Sequence, residues 1–190
     1  MSSGAPRGMA RLWPFKRRDA KVPGVGGGTV RTEASEAVEG ATHVKVRVLL
    51  DQEDGWPDTE SEGLWALPLI SGDYRLENTP FFAFGMSNGD EVAVSSDADG
   101  VLWVSGVVWR RGRMTVRIIT SDRDDSLEGI LAEFAPLGVT GEGFQQFRLL
   151  SFDLGPESDV PAAKRLLAHG AASGRWEYEE ADVSDAWLAL

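Results

Sequence analysis

The stretch from Leu76 to Val94, reading LENTPFFAFGMSNGDEVAV, constrains the fold more than any other part of this sequence. Pro80 forces the residue before it into an extended conformation, and the Asn78 side chain is of the kind that bonds nearby backbone amides. Asn88-Gly89 is the strongest short-range signal for a tight turn and predicts positive φ. Strand-like segments lie on both sides, so we expect this stretch to direct the chain from one strand into the next.

The same stretch carries three phenylalanines within four residues. Phe81 and Phe82 are adjacent, so in an extended segment they would point to opposite sides. One ring would then enter the core while the other, beside Asn78 and Ser87, would border a binding site with an apolar and polar lining. The alternative buries both rings between the two halves of the protein.

Residues 43–120 are predicted to contain only strands. Val44, Val46 and Val48 alternate with basic residues, which is typical of a half-exposed strand. Further strands are predicted at 63–70, 74–78, 91–96, 101–109 and 114–120, with Glu60 and Glu62 solvated in the acidic loop before the second one. This half should form a small barrel or a strongly bent sheet.

The sequence predicts helices only after the strand at 114–120. Apolar residues at 127, 130, 131 and 134 predict an amphipathic helix, with Asp125 placed to cap it. A second helix is predicted to begin at Asp159 and Pro161, and strands are predicted at 144–154 and 175–179. Residues 114–183 are thus predicted to be a ferredoxin-like β-α-β-α-β unit, which makes the whole chain α+β.

The ends of the chain are predicted to lie outside this fold. Residues 1–40 are rich in Gly and Pro and have no apolar period, so we expect a disordered basic tail. The folded domain would cover residues 41–183, and residues 184–190 would be a C-terminal tail.

Charge is distributed unevenly along the sequence. Residues 1–31 contain seven basic residues and one acid, and the other 159 contain 12 basic and 29 acidic residues. The folded part should therefore repel the phosphates of nucleic acids, and a protein partner, basic in character, fits it better. The sequence contains no apolar run long enough for a transmembrane helix and no export signal, so we expect a cytoplasmic protein.

Few residues suit catalysis. The sequence contains no cysteine, and its two histidines, His43 and His169, have no carboxylate at a ligand spacing, so we expect no metal and no cofactor. Ser87 lies in a G-x-S-x-G match, but a strand rather than a helix follows it. We therefore favour a protein that is not an enzyme and predict no catalytic residues.

Two further sets of polar residues are candidates for binding. Arg113 and Arg117 lie on one face of a predicted strand and could hold an anion, although a charged hairpin balanced by acids explains them as well. Gly89-Asp90 resembles the Gly-Asp turn of cradle-loop barrels, in which the aspartate accepts backbone amides. Asp90 is thus more consistent with an architectural role than with catalysis.

Several of these motifs together resemble a family. Leu64-Trp65-Ala66, then Asn78-x-Pro80-Phe81-Phe82, then Gly85-x-Ser87-x-Gly89-Asp90-x-Val92 is similar to an uncharacterised bacterial group, domain-of-unknown-function family 4265. The ending Gly174-Arg-Trp176-Glu-Tyr178 is similar too. The resemblance covers about residues 44–183 and implies no assigned reaction, so it transfers no catalytic residue.

Three functions remain open from the sequence. The first is a non-catalytic, cytoplasmic protein-binding or regulatory module. The second is a small-molecule or anion-binding domain, enzymatic or not, that uses a cleft between the halves with Arg113 and Arg117. The third is an acidic immunity-type protein that covers a basic toxin. Residues assigned to ligand or partner binding under these hypotheses are Asn78, Phe81, Phe82, Ser87, Asp90, Arg113 and Arg117.

The turn at Asn88-Gly89 gives a first prediction. A valine at position 89 should lower the free energy of unfolding by about 1 kcal/mol or more, because a branched side chain is strained at positive φ. Urea denaturation followed by tryptophan fluorescence measures this change. An unchanged midpoint would show that the turn does not need glycine.

Overall fold

The structure is a computed structural model that describes residues 33–53, 55–120 and 125–190. Over these ranges nine strands and three α-helices form a barrel followed by a sheet covered by helices. The strands are β1 Val44–Leu49, β2 Ser61–Pro68, β3 Tyr74–Leu76, β4 Glu91–Ser96, β5 Leu102–Trp109, β6 Met114–Thr120, β7 Val139–Phe144, β8 Leu149–Leu154 and β9 Trp176–Asp182. The helices are α1 Leu127–Phe134, α2 Val160–Ala172 and α3 Asp185–Leu188.

Strands β1 to β5 form a closed barrel in chain order, as the alternating first half predicts. Consecutive strands pair antiparallel, and β5 returns to pair parallel with β1, where Arg47 lies opposite Trp103. The inward residues Val46, Leu64, Leu76 and Val92 are fully buried. The barrel core therefore comes from alternate positions of each strand.

Strands β6 to β9 form a four-stranded antiparallel sheet in the order β7-β8-β6-β9. The observed element order is β-α-β-β-α-β, so the predicted β-α-β-α-β unit omits strand β7. Its sequence, Val-Thr-Gly-Glu-Gly-Phe, has low strand propensity because of Gly141 and Gly143. A Cβ on Gly141 would lie 2.6 Å from the Ser151 carbonyl oxygen and 3.2 Å from the Leu131 side chain, so this glycine lets α1 pack closely.

Helices α1 and α2 cover one face of this sheet. Met114, Val116 and Ile118 face them, as the alternation of β6 predicts, and share a core with Phe134 and Trp176. The first helix is capped by Ser126, whose Oγ accepts from the Gly129 amide. Asp125 does not cap it as predicted, because both of its carboxylate oxygens accept from Arg175.

Both ends of the described chain attach to the body. Residues 1–32, which hold most of the predicted tail, lie outside the described residues. Within the remainder of that tail, Ala37 forms a β-bridge with Leu69, and the Ser35 amide donates to Glu91. Residues 184–190 were expected to be a tail, but they contain α3 and fully bury Trp187. Helix α3 has only four residues, which is too short for an apolar repeat that would predict a helix from the sequence.

The turn at Gly89 differs in part from the expectation. Gly89 has φ of +84°, whereas Asn88 is not at positive φ. The Asp90 amide donates to the Ser87 carbonyl to close the turn. It is no tight hairpin, because residues 77–90 separate β3 from β4. Only the glycine at this turn is required by its backbone conformation.

None of the helices within the described ranges is long and apolar enough to cross a membrane.

Helix α2 touches the sheet so closely that one glycine decides its position. A Cβ on Gly170 would lie 1.9 Å from the Trp176 ring. An alanine in a helix ordinarily stabilises it by about 1 kcal/mol over glycine. We predict the opposite sign here: Gly170→Ala should destabilise by roughly 1–3 kcal/mol through overpacking.

Guanidinium denaturation measures this change, and Ala168→Gln at an exposed position of the same helix is the control, expected to stay within about 0.5 kcal/mol. A stabilised Gly170→Ala variant would contradict the close contact between α2 and β9.

Candidate functional site

The second face of the sheet is polar and yet buried. Thr115, Arg117, Ser151 and Asp153 lie on it, and each is almost inaccessible to solvent. Buried polar groups need hydrogen-bond partners. These residues find them in residues 77–90, which we call the junction segment because it lies between the barrel and the sheet. Ser151 Oγ, for example, donates to the Pro80 carbonyl at 2.6 Å.

Glu62 of the barrel holds the junction segment by its amides. Its carboxylate accepts from the backbone N–H groups of Phe81, Phe82 and Ala83 at 2.6, 2.9 and 2.8 Å. The side chain is 8% exposed, so the prediction that Glu62 is solvated is wrong. It lies on strand β2, where the alternation of buried Glu62, Leu64 and Ala66 directs it inward.

Arg117 of the sheet holds the same residues by their carbonyls. Its guanidinium donates to the Phe82 carbonyl at 3.0 Å and, in a short contact, to the Ala83 carbonyl. It also forms an ion pair with Glu179 at 3.0 Å and lies over the Phe84 ring. Glu62 and Arg117, which we call the clamp, thus grip one peptide segment from opposite sides and from different halves of the protein.

Burial has an electrostatic cost at Arg117. Desolvation lowers the pKa of its guanidinium, and the charges of Glu179 and Glu62 oppose that shift. Its Nε has no hydrogen-bond partner within the described part of the chain. An arginine stays protonated in proteins, so this side chain is a buried cation neutralised by nearby carboxylates.

A second polar group ties the turn at Asp90 to the end of β9. Asp90 accepts from the amides of Ser87 and Arg111, the architectural contact that the Gly-Asp turn predicts. Arg110 bonds both oxygens of Asp182 at 2.8 and 2.9 Å and lies 3.7 Å from Asp90. Ser87 Oγ donates to Asp182 at 2.7 Å. Two carboxylates therefore share one guanidinium.

Asp90 is 1% exposed, and its surroundings change its acidity. Burial raises the pKa of Asp90 to about 6. The two backbone amides and Arg110 lower it, whereas the charge of Asp182 raises it further. The folded protein therefore binds a proton at Asp90 more tightly than the unfolded chain does.

The other residues assigned to binding from the sequence are distributed along the same junction. Asn78 Oδ1 accepts the Trp65 amide at 2.7 Å, so this side chain fixes backbone. Arg113 forms an ion pair with Asp153 at 2.7 Å, and Asn88 donates to the same carboxylate. The guanidinium groups of Arg113 and Arg117 are each engaged by a carboxylate of this chain, so they do not converge on an open anion site.

A cluster of aromatic rings lies where the junction segment meets the β7 end of the sheet. It consists of Trp56, Phe81, Phe82, Phe144 and Phe147, which we call the junction aromatic cluster. The rings meet edge to face at centroid distances from 4.9 Å for Trp56–Phe147 and Phe144–Phe147 to 6.3 Å for Phe82–Phe144. All five residues are of intermediate exposure.

Phe81 and Phe82 do not behave as the sequence suggests. The chain bends at these residues instead of running extended, so their rings do not separate to opposite sides. Both contact Phe144, and both are half-buried. Neither of the two expected arrangements, one ring in and one out or both buried, is observed.

Carboxylates flank this cluster. Glu53 pairs with Trp56 through backbone hydrogen bonds, and exposed Asp58 follows two residues later. Glu142 lies two positions before Phe144 on the same face of β7, and Glu128 bonds the Gln145 side chain. Arg148 is the cation nearest in sequence, and its guanidinium donates to the carbonyls of Thr120 and Asp125. The chain segments around Trp56 and Phe144 are therefore acidic in sequence.

The residues that sequence reasoning missed are Glu62, Trp56, Phe144 and Phe147. Glu62 occupies an inward position of β2, but its charge hides it among the apolar residues of that strand. The aromatic rings come from segments that are far apart in the sequence. Within the described residues, no group of three or more His, Cys, Asp or Glu is arranged to hold a metal ion. The arrangement presents a group of partly exposed aromatic rings.

The clamp gives a prediction about stability. Glu62→Gln should lower the free energy of unfolding by roughly 1–3 kcal/mol, because one amide oxygen cannot replace two carboxylate oxygens that accept three N–H groups. Urea denaturation measures the loss. Glu60→Gln, an exposed acid two residues away, is the matched control and should change little. Equal effects of the two substitutions would contradict the clamp.

The raised pKa of Asp90 gives a prediction about pH. Because its folded pKa lies above its unfolded value, its contribution to stability is full at low pH and is lost as pH rises through about 6. Relative to Asp90→Asn, the wild-type protein should lose about 1 kcal/mol of stability between about pH 5 and about pH 7.5. Chemical denaturation of both proteins at the two pH values tests this, and parallel pH profiles would contradict it.

Comparisons with known proteins agree with this description. No curated protein matches the sequence. The crystal structure of a hypothetical protein from Neisseria gonorrhoeae is similar, with a TM-score of 0.62 and 20% identity. The match covers 75% of this chain and 98% of that one, and it shows a shared fold. Residues 62–178 match the family described as "Domain of unknown function (DUF4265)", and the chain belongs to that family.

Proposed function

We propose that this protein is a non-catalytic module that binds another protein through the junction aromatic cluster. The observation that carries the proposal is that five rings from three separate segments meet and yet remain partly exposed. Aromatic residues dominate the energetics of protein interfaces. A surface of this kind suits a partner that inserts an apolar side chain among the rings.

Rigid support strengthens the proposal. Phe81 and Phe82 are carried by peptide groups that the clamp holds from both sides. Phe144 ends strand β7, and Phe147 lies in the short 3-10 helix Gln145–Phe147 that follows. A surface that is ordered before binding loses less conformational entropy when the partner arrives.

Charge indicates what kind of partner fits. Glu53, Asp58 and Glu142 lie within three residues of a ring in the sequence, Glu128 bonds the Gln145 side chain, and the sequence outside residues 1–31 carries 12 basic and 29 acidic residues. A cationic segment would gain attraction from these acids, and a guanidinium or ammonium group can also stack on the rings. The proposed partner is therefore a basic protein segment that carries an apolar or aromatic side chain.

The other functions considered from the sequence are supported less well. An anion bound by Arg113 and Arg117 would have to displace Asp153 and Glu179, their present partners. An immunity-type role against a basic toxin is one form of the proposed function, since it requires the same acidic surface. The order β7-β8-β6-β9 supports a ferredoxin-like class for the second half. A cytoplasmic location stays a prediction.

A pair of peptides tests the proposed function. A short labelled peptide of alternating lysine and tryptophan should bind with measurable affinity by fluorescence anisotropy, and a matched glutamate–tryptophan peptide should not. Phe144→Ala should weaken binding about tenfold, which corresponds to about 1.4 kcal/mol. The protein should stay folded, because this ring is only half-buried.

Trp65→Ala is the matched control. Trp65 is 48% exposed on the outer face of the barrel, where Lys45 lies over its ring, so its loss should leave peptide binding unchanged. Equal weakening by the two substitutions, or equal binding of the two peptides, would show that the junction aromatic cluster is no specific site.

A further inference from the structure

The sequence itself contains a segment with the chemistry that the proposed site requires. Residues 11–18 read Arg-Leu-Trp-Pro-Phe-Lys-Arg-Arg and combine four cations, two aromatic rings and no acid. The segment lies outside the described residues. We propose that residues 11–18 bind the junction aromatic cluster of the same molecule and compete there with the external partner. This inference rests on the proposed function, since it names a second occupant of the same site.

Charge complementarity is the first argument for this occupant. Residues 51–60 and 139–147, which carry Trp56 and Phe144, include acids but no lysine or arginine. Residues 11–18 have the opposite composition, and Trp13 and Phe15 alternate with residues that are not aromatic. Opposite charges give the encounter its specificity, and burial of the two rings supplies the attraction at short range.

The chain between the segment and the body is also long enough for this contact. Residues 19–32 join the segment to the first described residue, and fourteen residues can span up to about 46 Å. A folded unit of about 160 residues has a radius of gyration of only about 15 Å. The chain is then anchored to the barrel through the Ser35 amide on Glu91 and the bridge between Ala37 and Leu69. The segment can therefore contact any part of the body that lies within about 46 Å of residue 33, measured along the surface.

Attachment in the same chain makes a weak contact effective. A site on a short tether experiences a local ligand concentration on the order of millimolar. A segment that would bind with a dissociation constant of about 0.1 mM as a free peptide would then occupy the cluster about ten times more often than it leaves it empty. An external basic partner would bind about tenfold more weakly than its intrinsic affinity.

Full-length variants test this competition with the lysine–tryptophan peptide as probe. Trp13→Ser with Phe15→Ser removes both rings of the segment and should tighten probe binding about tenfold. Arg17→Ser with Arg18→Ser should tighten it as well. Lys21→Ser with Arg31→Ser removes the same number of charges outside the segment and is the matched control, expected to leave the affinity within about twofold.

A combined variant separates this inference from the proposed function. Trp13→Ser with Phe15→Ser should no longer tighten probe binding when the protein also carries Phe144→Ala. The comparison is with the Phe144→Ala protein alone, and the tightening is lost because the two occupants share one site. If the probe binds the wild-type protein and the segment variants with equal affinity, the internal occupant is excluded while the site stands. If the probe binds none of the proteins, both inferences fall.

A third outcome also overturns the internal occupant. If Arg17→Ser with Arg18→Ser abolishes binding of the full-length protein to phosphatidylserine vesicles and leaves probe affinity unchanged, the segment serves a membrane surface instead.

Discussion

The fold depends on one short run of peptide groups, residues 81–83, held from both sides by buried charges. Glu62 accepts its amides and Arg117 donates to its carbonyls, so the two side chains meet through the backbone between them. A buried charge is tolerated only when it is neutralised and hydrogen-bonded. The carboxylate belongs to the barrel and the guanidinium to the sheet. The two side chains therefore join the barrel to the sheet, whose buried apolar residues form two separate clusters.

That join explains why one face of the sheet can be polar and still be covered. Thr115 and Ser151 project toward the junction segment and bond Ser87 Oγ and the Pro80 carbonyl, and Asp153 bonds Asn88. The opposite face packs apolar residues against α1 and α2 in the ordinary way. The sheet is thus covered on one side by hydrophobic contact and on the other by directional hydrogen bonds, which fix the orientation of the barrel more narrowly than apolar packing would.

Much of the fold follows from local pattern, and most of the site does not. Alternation in β1 and β6 is strong because apolar residues occupy every second position, so both strands could be predicted, and β6 with its exact bounds. Strand β7 was missed because Gly141 and Gly143 serve the packing of α1, a tertiary requirement that overrides strand propensity. Glu62 was predicted to be solvated because a buried carboxylate needs hydrogen-bond donors. Its three donors are backbone amides about twenty residues away, which the sequence does not reveal. The aromatic cluster was missed in part because Phe144 and Phe147 lie more than sixty residues from Phe81 in the sequence.

The clamp also determines how this sequence can change over time. Glu62 and Arg117 bind amides and carbonyls, which every residue except proline supplies in full. The side chains at positions 81–83 can therefore be exchanged without loss of the clamp, provided that the backbone keeps its path. The ring-bearing surface is in this way separated from the contacts that hold it. Substitutions at the rings can therefore alter this surface while the joint beneath is inherited unchanged.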